Sequence, residues 1–383
     1  MKARYFLLLL IILGPWLTSV CTLKPDSAEF EEILITAAAA GDAPDVAYVD
    51  NLQMAAYADQ GWLKPVPDVI EREAFYPATI EALRWQGTLY AVPHDAQSIA
   101  LVVNQELFDE VGLEPPESWG EFDEAARALW NPEAGVFGLG MTAGFWSFLP
   151  FFYQAGGRLV DEDGWLALDT EQAQLALEFY ARPSVEGYAL MVPGEGFEQG
   201  AYSGLLDAFA EGRIAMFVGG PGMYNGVLQR MGLDPAKQTT VRVLELPAGP
   251  AGRATIAFTR GLGLFGQPGE NPSPAAVEFL AYATGPEGLA FWIGDSGTPP
   301  DYVPARPGLA DQWLERHPGT KAFVVGLEYA QNYQPDDVPG AAYAEFYEMA
   351  SRILPQALTG QLPVSDVLKS LQEEGNEILR NYR

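Results

Sequence analysis

Residues suited to bond-breaking chemistry are scarce in this chain. It has two histidines, His94 and His317, and one cysteine, Cys21. A Ser-His-Asp triad or a histidine-built metal site needs more than that supply. No Gly-x-Ser-x-Gly elbow and no phosphate-binding P-loop occurs. Gly261–Gly266 spells Gly-x-Gly-x-x-Gly, but a dinucleotide site needs that motif between a strand and an opening helix. Here Gln267-Pro268-Gly269 follows, and Leu264 and Phe265 read as strand core. The run Asp161-Glu162-Asp163-Gly164 has the start of a calcium loop, but Trp165 stands at the fifth ligand place, so a hairpin turn is expected. What the chain offers instead is aromatic rings beside planar polar groups: Tyr48 with Asn51, Asp95 and Gln97 after His94, and Trp146, Tyr224 and Arg260. Rings cover apolar surface and planar acids, amides and guanidinium groups fix orientation, which is the chemistry of a binding cleft.

These residues need a scaffold, and the pattern supplies an α/β one. Glu29–Ala40 reads as a helix with Gly41 as its C-cap. Pro44–Val49 is a short strand with few polar residues, followed by a helix over Leu52–Gln60. Alternating strands and helices predict a mostly parallel sheet. Pro93–Gln97 is expected as a loop before an apolar strand, Ile99–Val103. Ser118 and Glu121 form a capping box for a helix reaching Trp130. Further helices are expected over Thr170–Tyr180, Tyr202–Ala210, Ser273–Ala283 and Gly288–Ile293, and strands over Gly138–Met141, Ile214–Gly219, Val241–Leu246 and Thr255–Thr259. Helical spacing puts Phe148, Phe151 and Phe152 in the core. Pro299–Pro307 is extended, and the tail holds two long helices, Ala342–Leu358 and Val364–Asn381.

The 383 residues suffice for two domains, and 48% hydrophobic with 19% charged residues describes a folded globular chain. The net charge of −29 repels phosphate backbones, so no nucleic-acid partner is expected and a neutral or cationic ligand is favoured over an anion. Lys2 and Arg4 precede an apolar run, Tyr5–Leu13, then Gly14-Pro15 and Cys21. That is a secretory leader rather than a bilayer span. With one cysteine no internal disulfide forms, so packing supplies the stability.

Five segments, in order, resemble bacterial extracellular solute-binding proteins. They are Ala39–Asp50 (AAGDAPDVAYVD), Gly87–Trp130, Ala208–Pro221 (AFAEGRIAMFVGGP), Pro272–Pro304 and the helical tail. The maltose-binding branch, which binds mono- and oligosaccharides, is most similar. The resemblance implies a periplasmic-binding-protein-like α/β fold: two lobes, a hinge crossed three times, and a cleft between them. The expected lobes are 22–99 with 258–303 and 104–250 with 311–383, with hinge crossings near 98–103, 250–261 and 302–312. It further implies an exported, monomeric sugar-binding component that needs no cofactor or metal and delivers ligand to the permease subunits of an ABC importer. Cys21 resembles a lipoprotein acylation site, although Thr18 and Val20 depart from the usual lipobox. Membrane contact is then expected only through the leader, residues 1–21, or a lipid anchor.

By the same resemblance Tyr48 and Trp146 match stacking positions, and Asn51 and Gln97 match hydroxyl-binding ones. The plain alternatives are a packing tyrosine and a helix-capping asparagine. Asp95 is favoured over His94, and Arg260 is expected at the hinge, reaching ligand or pairing with an acid. Gly220 matches the glycine of a Gly-Pro-Trp turn; Gly222 stands where the tryptophan would be, and Tyr224 is the nearest substitute ring. One βα unit, on the order of 30 residues, is also missing before Glu29, which would leave a neighbouring strand with unpaired backbone. The alternatives are a binding protein for a polyamine or peptide, a truncated non-binding relative, and a carboxylate-pair glycosidase.

Overall fold

The computed structural model describes residues 27–192, 199–235, 237–293, 301–335 and 338–383; the leader and Cys21 lie outside them. Helix α1 (Ser27–Ala40) ends at Gly41, whose φ of 80° suits a residue without a Cβ. Strand β1 (Val46–Asp50) runs directly into α2 (Asn51–Asp59). Asp50, not Asn51, is the cap: its carboxylate accepts from the backbone N–H of Leu52 and Gln53. A short strand, β2 (Leu63–Lys64), follows; then β3 (Ala91–Ser98) and β4 (Ala100–Asn104), separated only at Ile99.

The expected loop Pro93–Gln97 is therefore the middle of β3. Proline lacks a ladder donor, yet Pro93 is tolerated because the register shifts beside its partner Gly261. Helix α3 (Trp119–Leu129) carries the Ser118–Glu121 capping box. After it come β5 (Phe137–Met141), α4 (Phe145–Gln154), α5 (Glu171–Val185), β6 (Ala189–Met191), α6 (Gln199–Ala210), β7 (Ile214–Gly219), α7 (Pro221–Met231) and β8 (Val241–Leu244). The chain then forms its longest strand, β9 (Thr255–Phe265), helices α8 (Pro274–Ala283) and α9 (Pro286–Ile293), and strands β10 (Val303–Pro304) and β11 (Ala330–Asn332). The tail helix breaks at Pro355 into α10 (Gly340–Ile353) and a short turn before α11 (Val364–Asn381).

Two sheets result. The first has the order β1-β9-β3-β10, with β2 and β11 also paired to β9; the second is β8-β4-β7-β5-β6. The expected mostly parallel pairing is not found. β1 and β3 do run the same way, but β9 returns between them and pairs antiparallel with both. The parallel ladders are β9–β11, β5–β6 and β5–β7. β9 continues past its expected end because Gly261 and Gly263 fit where side chains would not. A Cβ at Gly261 would stand 2.7 Å from the Val92 carbonyl, and one at Gly263 2.5 Å from a Leu63 methyl. Among the described residues, β1 pairs with β9 alone, so its outer edge has no strand neighbour.

Phe148, Phe151 and Phe152 are at most 1% exposed in a core that packs α3, α4, α5, α10 and α11 on the second sheet. A separate core lies under α1, α2 and the first sheet. A third joins the two: Ala96, Ala257 and Val303 of the first sheet meet Ala100 and Phe217 of the second and Tyr224 of α7. At the Ile99 break the Thr255 hydroxyl donates to the Ile99 carbonyl at 2.7 Å and accepts from its N–H at 3.2 Å.

Candidate functional site

Strand pairing brings distant residues into one row. Asp50 on β1 is opposite Arg260 on β9, and Arg260 is opposite Asp95 on β3. Directly opposed residues share a sheet face, with Cβ atoms about 5 Å apart. Arg260 donates through Nε (2.8 Å) and Nη2 (2.9 Å) to the two oxygens of Asp95, a bidentate fork that fixes the guanidinium plane. The Tyr302 ring lies 3.6 Å from the guanidinium carbon, and the Tyr48 ring 5.6 Å away. The Tyr48 hydroxyl meets His94 Nδ1 at 2.6 Å, and the same nitrogen lies 3.2 Å from Asp95 Oδ2. Trp292 sets its ring edge-on to His94 at 5.3 Å and is 44% exposed among the described residues.

The electrostatics follow from this packing. Burial pushes the Asp95 carboxyl up, but hydrogen bonds from His94 and Arg260, and their charge, outweigh it and leave Asp95 below the ordinary carboxylate value. Asp50 moves the other way. Burial raises it, against the two backbone N–H groups it caps and the more distant charge of Arg260. Tyr48 is raised well above a free phenol, first by burial and then by Asp95.

A further set of aromatic rings is carried by helices α4, α6 and α10, by β9 and by the segment that follows β11. Trp146 opens α4, is 3% exposed, and tilts against Tyr202 at 6.0 Å. Tyr333 tilts at 39° against Phe258, the residue of β9 two before Arg260, with ring centroids 4.4 Å apart, and lies 5.7 Å from Tyr347. Gln97 reaches across, for its Oε1 would stand 2.8 Å from a Cβ on Gly220, the N-cap of α7. Gly222, in the place of the expected tryptophan, faces Asp301, whose carboxylate accepts from Asn225 at 3.4 Å. α10 seats directly on α2, since a Cβ at Gly340 would come 2.7 Å from the Leu52 carbonyl.

Several buried polar atoms have no hydrogen-bond partner among the described residues, three of them on neighbours of the Asp50–Arg260–Asp95 row. They include Asn51 Nδ2, His94 Nε2 and Thr259 Oγ1 on the first sheet's side, and Asn332 Oδ1 and Gln334 Oε1 beyond it. Asn51 meanwhile accepts from the Thr259 N–H through its Oδ1 at 3.3 Å. Unpaired buried polar atoms are rare in folded proteins, so a cluster of them marks a surface that hydrogen-bonds to something else. Multiple hydroxyls would meet both donors and acceptors here.

Of the residues singled out by sequence, Tyr48, Asn51, Asp95 and Arg260 come together, with Gln97 and Gly220 in contact nearby. Trp146 is 3% exposed and packs in the second sheet's core against Tyr202. Tyr224 is turned away, 1% exposed in the joining core, where its hydroxyl accepts from Gln238 at 3.1 Å. Sequence reasoning set His94 aside and passed over Tyr302, Trp292, Tyr333 and Asp50. Asp50 was within reach, because it lies two residues from Tyr48 on the same strand face. Tyr302 was not, because it meets Arg260 only through the fold.

A family model described as "Bacterial extracellular solute-binding protein" matches residues 19–322. A maltotriose-binding protein of Pyrococcus abyssi is 23% identical over 377 residues, covering 94% of this chain and 75% of that protein. Among solved structures, the sugar-binding protein MalE of Xanthomonas citri superposes with a TM-score of 0.78 at 21% identity, covering 93% and 89% of the two chains. A cyclic α-maltosyl-1,6-maltose-binding protein of Arthrobacter globiformis superposes at 0.75 with 23% identity, covering 92% and 89%.

Proposed function

Since the chain belongs to the bacterial extracellular solute-binding proteins, we propose that it is the sugar-capturing component of an ABC importer, closing two α/β lobes around a mono- or oligosaccharide. The observation that carries this reading is the Asp50–Arg260–Asp95 row with its surroundings. A charge-neutralised Arg260–Asp95 fork, and neighbouring buried polar atoms without a partner among the described residues, adjoin the rings of Tyr302, Tyr48 and Trp292. Neutral hydroxyls satisfy such donors and acceptors, and the C–H faces of a pyranose cover such rings. The sugar-binding relatives point the same way.

In this reading residues 22–99 with 258–303 form one lobe and 104–250 with 311–383 the other. The hinge comprises 98–103, 250–261 and 302–312, and the Thr255–Ile99 hydrogen bonds lie within it. Tyr48, Asn51, Asp95, Gln97 and Arg260 bind from the first lobe, and Trp146 and Gly220 from the second. The protein works as a monomer on the outer face of the membrane, held there by acylation of Cys21, and hands its ligand to permease subunits without altering it.

A thermal-shift screen against saccharides tests this. With ligand at about 100 times Kd, stabilisation is about 2.7 kcal/mol, a rise of several degrees for one sugar class. Release of smaller sugars during incubation would instead make the protein a glycosidase.

A further inference from the structure

Resting on the two-lobed sugar-binding reading, we propose that Gly340 is a positioning residue that sets ligand affinity by letting the lobes close fully. Helix α2 belongs to the first lobe and is tied to the site row at its start. Asp50 caps it, and Asn51 accepts from the Thr259 N–H. Helix α10 belongs to the second lobe, where Ala342, Tyr343 and Phe346 are fully buried and Phe346 sets its ring 5.2 Å from that of Phe145 on α4. The two helices nevertheless touch. Leu52 of α2 packs against the core of the second lobe, and Gly340 opens α10 as a buried residue. A Cβ on Gly340 would stand 2.7 Å from the Leu52 carbonyl oxygen and 3.4 Å from the Ala55 Cβ. The first distance is inside van der Waals contact. The spacing of packed helices is set by the side chains between them, so only glycine allows this one.

Other glycines of the second lobe also face the first, but against partners that can yield. A Cβ on Gly220 would meet the Gln97 side-chain oxygen at 2.8 Å, and one on Gly222 the Asp301 carboxyl carbon at 3.2 Å. Both neighbours are the ends of side chains that can swing away. The Leu52 carbonyl is main chain of α2 and cannot. Because α2 and α10 lie on different lobes, opening at the hinge separates them, and their contact exists only in the closed state. A larger residue at 340 therefore leaves the open protein as it is and disfavours the closed one. The apparent Kd rises as the closed fraction falls.

Gly340→Ala separates this role from a local one, because alanine favours a helix more than glycine does. If Gly340 mattered only to α10, the variant would be as stable as the wild type and bind as well. Calorimetric titration with maltotriose should instead show binding weaker by about five- to 150-fold, the range for one overpacked contact, and weaker still in Gly340→Val. The loss should appear in the release rate measured by stopped flow, with capture unchanged, since capture precedes closure. Melting of the unliganded variants should match or exceed the wild type. Gly222→Ala, whose neighbour can move, should bind within about twofold of the wild type. Wild-type affinity in both Gly340 variants overturns the inference and leaves the sugar reading standing. So does a loss that comes with a lower unliganded melting temperature, or one that Gly222→Ala reproduces in full. No binding of any saccharide by the wild type, including maltotriose, overturns both.

Discussion

At the residue scale the centre of the account is the Arg260–Asp95 fork. Asp95 is 16% exposed in its side chain and Arg260 39%, so the pair is only partly desolvated. Asp95→Asn removes the charge and replaces one of the two accepting oxygens with an NH2 donor, so the fork to Arg260 drops to one hydrogen bond, and we expect a loss of about 1–3 kcal/mol, in the range for a buried group left unsatisfied. The pH dependence has a definite sign. Asp95 is held below its unfolded value of about 3.9, so its contribution is complete above that value and is lost as pH falls through the lower folded value. Melting curves from pH 6 to 3 should show the wild-type advantage over Asp95→Asn shrinking below about pH 4. Asp50 has the opposite sign, because its folded value is raised: its contribution is present below the unfolded value and lost as pH rises through the folded one. Asp50→Asn should therefore melt at or above the wild-type temperature at pH 7 and lose that gain near pH 3. A constant offset for either variant across the range would contradict the assigned shifts.

At the element scale, β9 organises the site. It pairs with β1 and β3 and so sets Arg260 beside both acids. Its glycines are packing requirements: Gly261→Val would force a side chain into the Val92 carbonyl, costing about 1–3 kcal/mol as overpacking does. Chemical denaturation should show that loss, and unchanged stability would mean the strand does not close against β3 as described. Thr255→Val should cost a similar amount, about 1–3 kcal/mol, by leaving the Ile99 backbone unpaired at the junction. Strand β7, helix α11 and the α3 capping box were all legible from periodicity and cap residues. The course of β3 was not, because Pro93 reads locally as a loop and becomes a strand residue only when Gly261 of the distant β9 pairs with it. Mutual position of the site residues was hidden for the same reason: Tyr48, Asp95 and Arg260 were named one by one, while their adjacency is a property of the register. Tyr224 shows the converse. As a ring beside a glycine-rich turn it looks available, yet helix α7 rotates it into the core.

At the scale of the whole molecule, two sheets with their own cores meet through a third, apolar core, and the Asp50–Arg260–Asp95 row lies on the first sheet. A hinged clamp is the motion this architecture supports, with the short connections at Ile99 and before Thr255 absorbing the rotation. Small-angle scattering should show a smaller radius of gyration when saturating sugar is added, and an unchanged radius would mean that this molecule binds without moving. β1 has no strand on its outer edge among the described residues, yet Val46, Ala47 and Val49 are each no more than 7% exposed, so the first core is formed under it. The most direct test of the central claim is a calorimetric titration with maltotriose of wild type, Asp95→Asn and Trp146→Ala. Saturable one-site binding by the wild type, weakened at least about tenfold by each substitution, is the predicted result. Binding that neither substitution disturbs would show that saccharide is held elsewhere and contradict the account.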